Sequence, residues 1–456
     1  MNKTERVVTQ IQRQIENGAL APGARLLSIR RASQHFDVSK NTIVEAYDRL
    51  VAMGLIGARA GSGFAVVDQR SFSATDLAPP KHLLEAVDSI SLLRAQLHQT
   101  HDVRVGDGRP PASWMDGIMP RRMVDIGGEV EGGDSSGYGS PHGYGPLREL
   151  IASRHQAQGI RLMPQQIVTT FGANHALDLI IRRFLGAGDV VLVDDPGYYP
   201  LIAKLKLAQV RFVGVRRNPN GPDLDDLRAK AERERPALFF TQSLGQNPTG
   251  GSLELPVAHG ILQIASEFGF QVVDDDPFVD LHGIPGVRLA ALDEFRSVIF
   301  TGTYSKTMSA SFRVGYIAAA ASTAAELAEL KMITTVNSGR FSELLVTKII
   351  HSGRFHKHMV RVSKRLADAA EDFRNSIKPL GLTLYSEQQA GYYAYLMLPE
   401  GMSDLDLAQK ASKQSIFISP GTFFTVDPDN LIPGMRINVA RANDSRFIRF
   451  LRDVVA

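Results

Sequence analysis

The side chain best suited to covalent chemistry is Lys306, which lies in the stretch from Phe300 to Tyr316. An apolar run that ends in Thr-Gly-Thr predicts a buried strand, and a Tyr-Ser-Lys turn follows it. The lysine amine can condense with an aldehyde, while the hydroxyl of Ser305 can bind a phosphate. Arg313, seven residues after the lysine, can supply a second fixed cation for that phosphate. A phosphate-bearing aldehyde, pyridoxal phosphate, therefore fits this segment.

Pyridoxal phosphate needs further partners, and each has a candidate at a predicted strand end or turn. Asp275 lies just past an apolar strand, where a buried carboxylate would keep the ring nitrogen protonated. Asn247, in an Asn-Pro-Thr-Gly turn, can reach the ring oxygen, and Tyr198, in a Pro-Gly-Tyr-Tyr-Pro segment, can stack on the ring. Arg436 can offer a forked pair of donors to a carboxylate. Each residue alone also has an ordinary structural interpretation, such as loop capping by an aspartate, so their joint presence is what indicates the cofactor.

The elements that must position these residues alternate between apolar runs and helical patterns after residue 116. The apolar runs begin at Val190, Val210, Ala237, Gln271 and Val298. Such alternation predicts a mostly parallel sheet covered on both faces, which binds ligands at the carboxyl ends of its strands. A further strand, Ile167 to Thr170, leads into a helix that begins near Ala173 and Asn174, and the free N–H groups at a helix N-terminus bind phosphate. From about Ser338 the pattern becomes helical and then α+β, which predicts a smaller C-terminal lobe.

The N-terminal segment has a different pattern, that of three short helices followed by a hairpin. Thr4 to Gly18 predicts the first helix and Ser28 to Phe36 the second. Ser39 can cap a third helix. Its inward face would carry Ile43, Tyr47, Leu50 and Val51. Gly54 to Val67 then predicts a two-stranded wing with a glycine tip.

Polar and basic residues at the start of the third helix, Lys40 and Asn41, suit a reader of the DNA major groove, because side chains there reach base edges and phosphates together. The first 70 residues carry ten Lys and Arg against six Asp and Glu, although the whole chain has a net charge of only +3. The excess positive charge thus lies where a phosphate backbone would be contacted. The alternative for this segment is a protein-interaction module.

Composition excludes several classes of function. The chain has no cysteine, so disulfides, thiolate metal sites and a cysteine nucleophile are absent, as suits a reducing cytoplasm. Met1 to Gln10 is polar and shows no secretory signal, and the most apolar stretch, Tyr316 to Leu330, is shorter than a bilayer requires. His351, His356 and His358 do not have the spacing of metal ligands on one helical face, and we expect them on a solvated basic surface without a metal.

At 456 residues the chain is expected to form two or three domains. We assign residues 1–69 to a DNA-binding domain and residues 111–456 to a cofactor-binding domain. Residues 70–110 are punctuated by proline and glycine, and Leu83 to Leu97 is their one helical pattern. We expect this stretch to be a tether of adjustable length.

Three segments, Gly23 to Ser33, Val38 to Leu50 and Gly61 to Phe64, resemble the winged helix of the bacterial GntR regulators. The resemblance implies that the DNA-contacting residues are Arg30, Ser39, Lys40, Asn41 and Gly61. One departure is Leu27, where the GntR pattern usually has proline. This change alters the entry into the second helix but removes no expected DNA contact.

From about Pro111 to Ala456 the order of the motifs resembles that of the fold-type I aminotransferases. The order is Gly-Ala-Asn, Tyr, Asn-Pro-Thr-Gly, Asp-Asp-Pro, Ser-Lys, Arg and a late Arg. The resemblance implies that Lys306 forms the internal aldimine with pyridoxal phosphate, Asp275 pairs with the ring nitrogen, and Asn247 lies by the ring oxygen. It also assigns ring stacking to Tyr198, the phosphate to Ala173, Asn174, Ser305 and Arg313, the partner subunit's phosphate to Tyr138, and the α-carboxylate to Arg436.

One departure from the aminotransferase pattern concerns turnover. The family commonly has a tyrosine three residues after the ring-nitrogen aspartate, and this chain has Phe278 there. Loss of that phenol removes a hydrogen-bond donor to the ring oxygen. We expect cofactor binding to survive and efficient turnover to be impaired.

A GntR-type winged helix joined to an aminotransferase-like domain resembles the MocR subfamily of bacterial transcription regulators. The resemblance implies a cytoplasmic homodimer that binds paired operator half-sites in double-stranded DNA and senses a small amine or amino acid at Lys306. The expected fold is a mainly α winged helix-turn-helix plus an α/β fold-type I domain with a small α+β C-terminal lobe. Two alternatives stay open, namely an active aminotransferase with a secondary DNA-binding domain and a cofactor-binding scaffold with neither activity.

Overall fold

The protein was studied as a computed structural model, which describes residues 2–59, 63–67, 79–98, 100–118, 137–387 and 391–455. The chain folds into two compact units, Met1–Pro79 and Pro80–Ala456. Gly61, which the sequence predicts to contact DNA, lies outside the described residues.

The first unit consists of three helices and an antiparallel hairpin. Its elements are α1 (Lys3–Glu16), α2 (Ile29–His35), α3 (Lys40–Ala52), β1 (Ile56–Arg59) and β2 (Gly63–Val66). The helices begin where polar side chains satisfy their first N–H groups, with a capping box between Asn2 and Glu5 and with Ser39 accepting from the backbone N–H of Thr42. These boundaries confirm the three predicted helices and the strands of the wing.

The core of the first unit lies between these helices. It includes Val7, Val8, Ile11, Ile43, Ala46, Tyr47 and Leu50. The expectation that Val51 points inward is wrong, since its side chain is 40% exposed. The buried positions of α3 follow a spacing of three and four residues that ends at Leu50, so the next residue falls outside this stripe.

A central sheet organises the second unit. Its strands are β3 (Ile167–Thr170), β4 (Val190–Asp195), β5 (Arg211–Asn218), β6 (Gly221–Pro222), β7 (Leu238–Thr241), β8 (Gln271–Asp276), β9 (Val298–Thr303) and β10 (Gly315–Ala318). They lie in the order β3-β10-β9-β8-β7-β4-β5-β6. Pairing is parallel from β9 through β5, whereas β10 runs antiparallel to both β9 and β3. The mostly parallel sheet predicted from the sequence is confirmed.

Helices cover both faces of this sheet and build the rest of the unit. They are α4 (Lys81–Asp88), α5 (Ser91–His98), α6 (Gly145–Gln156), α7 (Ala173–Phe184), α8 (Tyr199–Leu207), α9 (Leu224–Glu234), α10 (Leu255–Phe268), α11 (Leu289–Asp293), α12 (Ala321–Thr335), α13 (Arg340–His351), α14 (Arg354–Ile377), α15 (Asp404–Lys413), α16 (Val439–Ala442) and α17 (Ser445–Val455). Successive strand residues enter different cores: Val272 belongs to one buried cluster and Val273 to the other. Burial on both faces explains why the strands are continuous apolar runs.

The small C-terminal lobe is built on a second, antiparallel sheet. Its strands are β11 (Tyr393–Met397), β12 (Ser419–Pro420) and β13 (Gly434–Asn438), in the order β11-β13-β12. Phe373 of α14 and Phe447 of α17 pack face to face beneath it, with ring centroids 6.4 Å apart. The lobe carries Arg436 on its central strand.

Residues 80–110, which we expected within a tether, belong to the second unit. The single helix predicted for Leu83 to Leu97 is replaced by α4 and α5. Val103 and Val105 lie in the core of the small lobe, and Val103 exchanges backbone hydrogen bonds with Ser415 and Phe417. The burial of these apolar side chains holds the stretch on the lobe. Isolated valines between glycines and prolines show no hydrophobic periodicity, so the sequence pattern did not indicate this packing.

None of the helices in the described parts of the chain combines the length and apolar character that a membrane crossing requires. The three histidines of α13 and α14 differ in environment. His351 and His356 are exposed as expected, whereas His358 is buried, and its Nδ1 lies 3.0 Å from a guanidinium nitrogen of Arg361. Burial, followed by the charge of Arg361, lowers the pKa of His358 to about 4.

Candidate cofactor and ligand site

The three consecutive aspartates at the end of β8 have separate partners. In a β-strand, successive side chains point to opposite faces of the sheet. Asp274 accepts hydrogen bonds from Ser243, and Asp276 forms an ion pair with Arg288 at 2.7 Å. Asp275 points elsewhere and accepts from Thr301 Oγ1 at 2.6 Å.

Asp275 is buried, and the side chains that donate hydrogen bonds to it are uncharged. Its second carboxylate oxygen accepts from Gln242 Nε2 at 2.9 Å. Burial raises the pKa of Asp275 to about 6, against the effect of the hydrogen bonds from Thr301 and Gln242. A cation at this carboxylate would relieve the desolvation cost of its charged form. Asp275 is therefore suited to holding a protonated ring nitrogen.

Lys306 follows the end of β9, the strand next to β8. Its Nζ donates to the backbone carbonyl of Gly108 at 2.5 Å, and the phenol of Tyr393 donates to the same carbonyl at 2.9 Å. Among the described residues the amine forms no ion pair with a carboxylate. The lysine amine therefore lies at the site without a charged partner.

Tyr198 and Asn247 complete the surroundings of Asp275. Tyr198 lines a small cavity together with Thr241, Gln242 and Asp275. Burial raises the pKa of Tyr198 far above its ordinary value, and the negative charge of Asp275 adds to this effect. The backbone N–H of Asn247 donates to Gln242 Oε1 at 2.7 Å. The structure thus gathers the predicted ring partners at the carboxyl ends of neighbouring strands.

The predicted phosphate partners also lie together. Helix α7 begins at Ala173, after Gly172 in a left-handed conformation with φ of 80°. The Arg313 guanidinium donates to the carbonyl of Phe171 at 2.6 Å and lies 3.4 Å from Ser305 Oγ. A Cβ on Gly172 would meet that guanidinium at 2.9 Å, so glycine permits this close approach. The first N–H groups of a helix, beside a fixed cation, suit a phosphate.

Arg436 is a buried guanidinium that lacks an acidic partner among the described residues. It donates to Asn247 Oδ1 at 3.1 Å and to the carbonyl of Gly106 at 2.6 Å, while its Nε has no partner. The rings of Tyr393 and Phe424 lie 4.8 and 5.0 Å from its central carbon. A buried cation that is paired only with neutral acceptors is suited to binding a carboxylate.

Segment 105–110 passes along the site, and all its backbone carbonyls are bound. The carbonyls of Val105, Asp107, Arg109 and Pro110 accept hydrogen bonds from Asn438 and Arg441 of the small lobe. The two remaining carbonyls are those of Gly106 and Gly108, which Arg436 and Lys306 bind. The two groups predicted to bind a carboxylate and an aldehyde therefore hold one short stretch of backbone.

The remaining predicted residues lie elsewhere. Tyr138 is 86% exposed and lines a separate cavity with Asn337 and Glu343, so this chain does not bring it to Lys306. In the first unit, Arg30, Lys40 and Asn41 are exposed. Ser39 is exposed as well, but its hydroxyl already caps α3. Sequence reasoning missed three site residues, Gln242, Thr301 and Tyr393, although the first two lie at or next to the ends of predicted strands, where polar residues are informative.

These residues fit pyridoxal phosphate on the chemistry of their donors. The fit rests on a buried carboxylate bound by neutral donors, an amine without an acidic partner, and a cation beside a helix N-terminus. The buried carboxylate at Asp275 suits the ring nitrogen, the amine of Lys306 suits the aldehyde, and the group around Arg313 suits the phosphate. Phe278 packs against Tyr392 and Tyr393 and offers no hydroxyl.

Comparison with known protein families agrees with this organisation. Residues 105–453 match the family described as aminotransferase class I and II, and residues 3–66 match the gntR family of bacterial regulatory proteins. The chain belongs to the class I and II aminotransferase family and carries a GntR-type helix-turn-helix domain at its N-terminal end. Its domain architecture is of the MocR type.

Similar proteins match either the second unit or nearly the whole chain. The chain is 30% identical over 297 residues to 2-aminoadipate transaminase of Thermus thermophilus. This alignment covers 63% of this chain and 73% of the transaminase. It is 25% identical to the HTH-type transcriptional regulator YdcR of Escherichia coli over 99% of this chain and 95% of the relative. A solved structure of LysN, the α-aminoadipate aminotransferase of Thermus thermophilus in complex with N-(5'-phosphopyridoxyl)-L-leucine, has a TM-score of 0.70 and 26% identity, covering 81% of this chain and 96% of that chain.

Proposed function

We propose that this protein is a pyridoxal phosphate-dependent transcription regulator that senses a small amine or amino acid at Lys306. The GntR-type domain supplies the DNA-binding function. In the second unit, Asp275 would hold the ring nitrogen, Asn247 the ring oxygen, and Tyr198 the ring face. The phosphate would be held by Ala173, Asn174, Ser305 and Arg313.

Pyridoxal phosphate, when bound, supplies an aldehyde that exchanges amines reversibly. Lys306 provides the resident amine, and a free amine of the effector competes with it. Arg436 binds the effector's carboxylate, because its buried guanidinium has only neutral acceptors within the described chain. The site therefore favours an amino acid over a simple amine.

The observation that supports the sensing role is that Arg436 and Lys306 both donate hydrogen bonds to backbone carbonyls of segment 105–110. A ligand carboxylate would compete with the Gly106 carbonyl for Arg436, and the Lys306 amine that the effector displaces would again be free to donate to the Gly108 carbonyl. The segment continues towards the N-terminus through α5 and α4 to the start of the unit at Pro80. Effector binding would thus change the hydrogen bonds of the backbone segment that leads to the DNA-binding unit. Such a change is what coupling between effector binding and DNA binding requires.

Operator affinity measured with and without a panel of amines and amino acids tests this proposal. We expect the wild-type protein to change its affinity with at least one carboxylate-bearing amine, and Lys306→Ala to respond to none. Allosteric coupling between two binding sites typically changes affinity by about 5- to 150-fold, which sets the expected scale. Identical affinities across a broad panel would contradict the sensing role.

The second candidate is an active aminotransferase with a secondary DNA-binding domain. The presence of Lys306 and Asp275 together favours it, because these are the groups that amine transfer needs. Sustained production of keto acids at roughly 1 per second or more would support this alternative. The absence of a hydroxyl at Phe278 is why we prefer the regulator.

We further propose that the regulator is a homodimer, in which each copy presents Tyr138 to the phosphate of its partner. Exposed apolar side chains in residues 333–341, the stretch whose Asn337 lines a cavity with Tyr138, support a second copy as the occupant of this surface. Ile333 is 80% exposed, Phe341 53% and Val336 43%. Exposed apolar groups clustered in this way indicate an interaction surface. A dimer would also present two DNA-binding units to paired half-sites.

A further inference from the structure

We propose that Gln242 is a positioning residue of this site, which holds Asp275 and Asn247, the expected partners of the ring nitrogen and the ring oxygen, at a fixed separation. The inference rests on the proposed binding of pyridoxal phosphate. Gln242 is buried and follows directly after β7. It does not itself carry charge, and it acts through the two residues that it joins.

Both ends of the Gln242 amide are used. Nε2 donates to Asp275 Oδ2 at 2.9 Å, and Oε1 accepts from the backbone N–H of Asn247 at 2.7 Å. A carboxylate only accepts and a backbone N–H only donates, so these partners fix which way the amide faces. A primary amide carries a donor and an acceptor on one rigid plane, and it can therefore hold these two partners at a defined distance.

The backbone of Gln242 is itself anchored. Arg217 donates to the carbonyl of Gln242 at 2.9 Å and to Asp194 Oδ2 at 2.7 Å, and this ion pair is buried. Thr241 also donates to Asp194. These bonds fix the backbone from which the side chain of Gln242 extends, and the two hydrogen bonds of the side chain then set the separation between Asp275 and Asn247.

Asn247 extends the connection to the predicted carboxylate-binding group. Its Oδ1 accepts from Arg436 at 3.1 Å, and because a guanidinium only donates, the Nδ2 of Asn247 remains available to donate to a ring oxygen. A continuous series of hydrogen bonds therefore runs from Asp275 through Gln242 and Asn247 to Arg436. It joins the partner of the ring nitrogen to the partner of the ligand carboxylate.

The chemical consequence concerns the proton at the Lys306 nitrogen when the cofactor is bound. An ionised Asp275 keeps the ring nitrogen protonated, and the Asn247 amide donates to the ring oxygen. Both effects stabilise the electron-rich form that remains when the Lys306 nitrogen loses its proton. Gln242 supports both effects, so its removal raises the pH at which that proton is lost.

The test uses the full chain loaded with pyridoxal phosphate and follows its visible absorption band against pH. Gln242→Met keeps the length of the side chain and removes both hydrogen bonds. Gln242→Leu also removes both hydrogen bonds with an uncharged side chain, which provides a second variant if the first does not fold. Gln271→Met is the matched control, because it makes the same chemical change at the opposite end of β8.

We expect the pH midpoint of the band to rise by about one unit in both Gln242 variants, the scale of one lost hydrogen bond to a charged group. Gln271→Met is expected to keep the wild-type midpoint. An unchanged midpoint in folded Gln242 variants, with a normal band in the wild type, would overturn the role of Gln242 alone. A wild-type protein that takes up no pyridoxal phosphate would overturn the proposed cofactor and this inference with it.

Discussion

Replacing Gly106 by alanine is expected to release segment 105–110 from the small lobe. A Cβ built on Gly106 would lie 2.6 Å from the carbonyl carbon of Ile418 and 2.6 Å from the backbone nitrogen of Ser419. Both are backbone atoms that cannot rotate away, so the segment itself has to move. The Gly106 carbonyl would then lose its hydrogen bonds from Arg436 and Ser419, at 2.6 and 2.7 Å.

The size of the effect follows from overpacking. Inserting a methyl group into a well-packed region costs about 1–3 kcal/mol. Gly108→Ala is a matched control, since a Cβ there would meet only side-chain atoms, the nearest at 3.4 Å. Glycine to alanine at a compatible position stabilises a protein by about 0.4–1 kcal/mol, because the unfolded chain loses conformational freedom. The two variants should therefore move stability in opposite directions.

Urea unfolding followed by tryptophan fluorescence measures this difference. The chain has one tryptophan, Trp114, which lies partly buried against the core of the second unit. We expect a lower free energy of unfolding for Gly106→Ala and an equal or higher one for Gly108→Ala. Equal values in the two variants would refute the packing argument. Under the proposed function, Gly106→Ala should also alter operator affinity without any effector, and unaltered affinity of the folded variant would refute the link between this segment and DNA binding.

Three further predictions follow from other regions. Arg30→Ala, in α2, should weaken DNA binding and lower the slope of log affinity against log salt by about one. Arg49→Ala, which removes the same charge in the last turn of α3, should leave that slope nearly unchanged. Burial lowers the pKa of Lys331 from its ordinary 10.5 to about 8, so the unfolded state binds more protons between these values and stability rises with pH there. Lys331→Met should abolish this rise, a difference of about 2 kcal/mol in the free energy of unfolding by pH 9.5, and urea titrations at pH 7.5 and 9.5 measure it. Ile333→Asp should convert the proposed dimer to monomer in sedimentation velocity, and Leu255→Asp, an exposed leucine on α10, should not; a monomeric wild type would contradict the dimer.

The sequence determined the parts of this protein that depend on local pattern. Apolar runs marked the strands, and β3 occupies the residues that its pattern predicted, Ile167–Thr170. Because parallel strands end at one edge of a sheet, the polar residues after those runs could be expected to meet. Lys306 and Asp275 were identified in this way, without knowledge of any contact.

Only the tertiary structure decided what joins these residues and what surrounds them. Gln242 looks like any polar residue after a strand until β7 and β8 are paired and the turn brings Asn247 back to it. In the sequence, segment 105–110 has the pattern of a tether. The residues that bind its carbonyls, Arg436, Asn438 and Lys306, lie far away along the chain, so a local pattern cannot reveal them. Periodicity reports which face of an element is buried, whereas the partner of a buried polar group depends on chain folding over hundreds of residues.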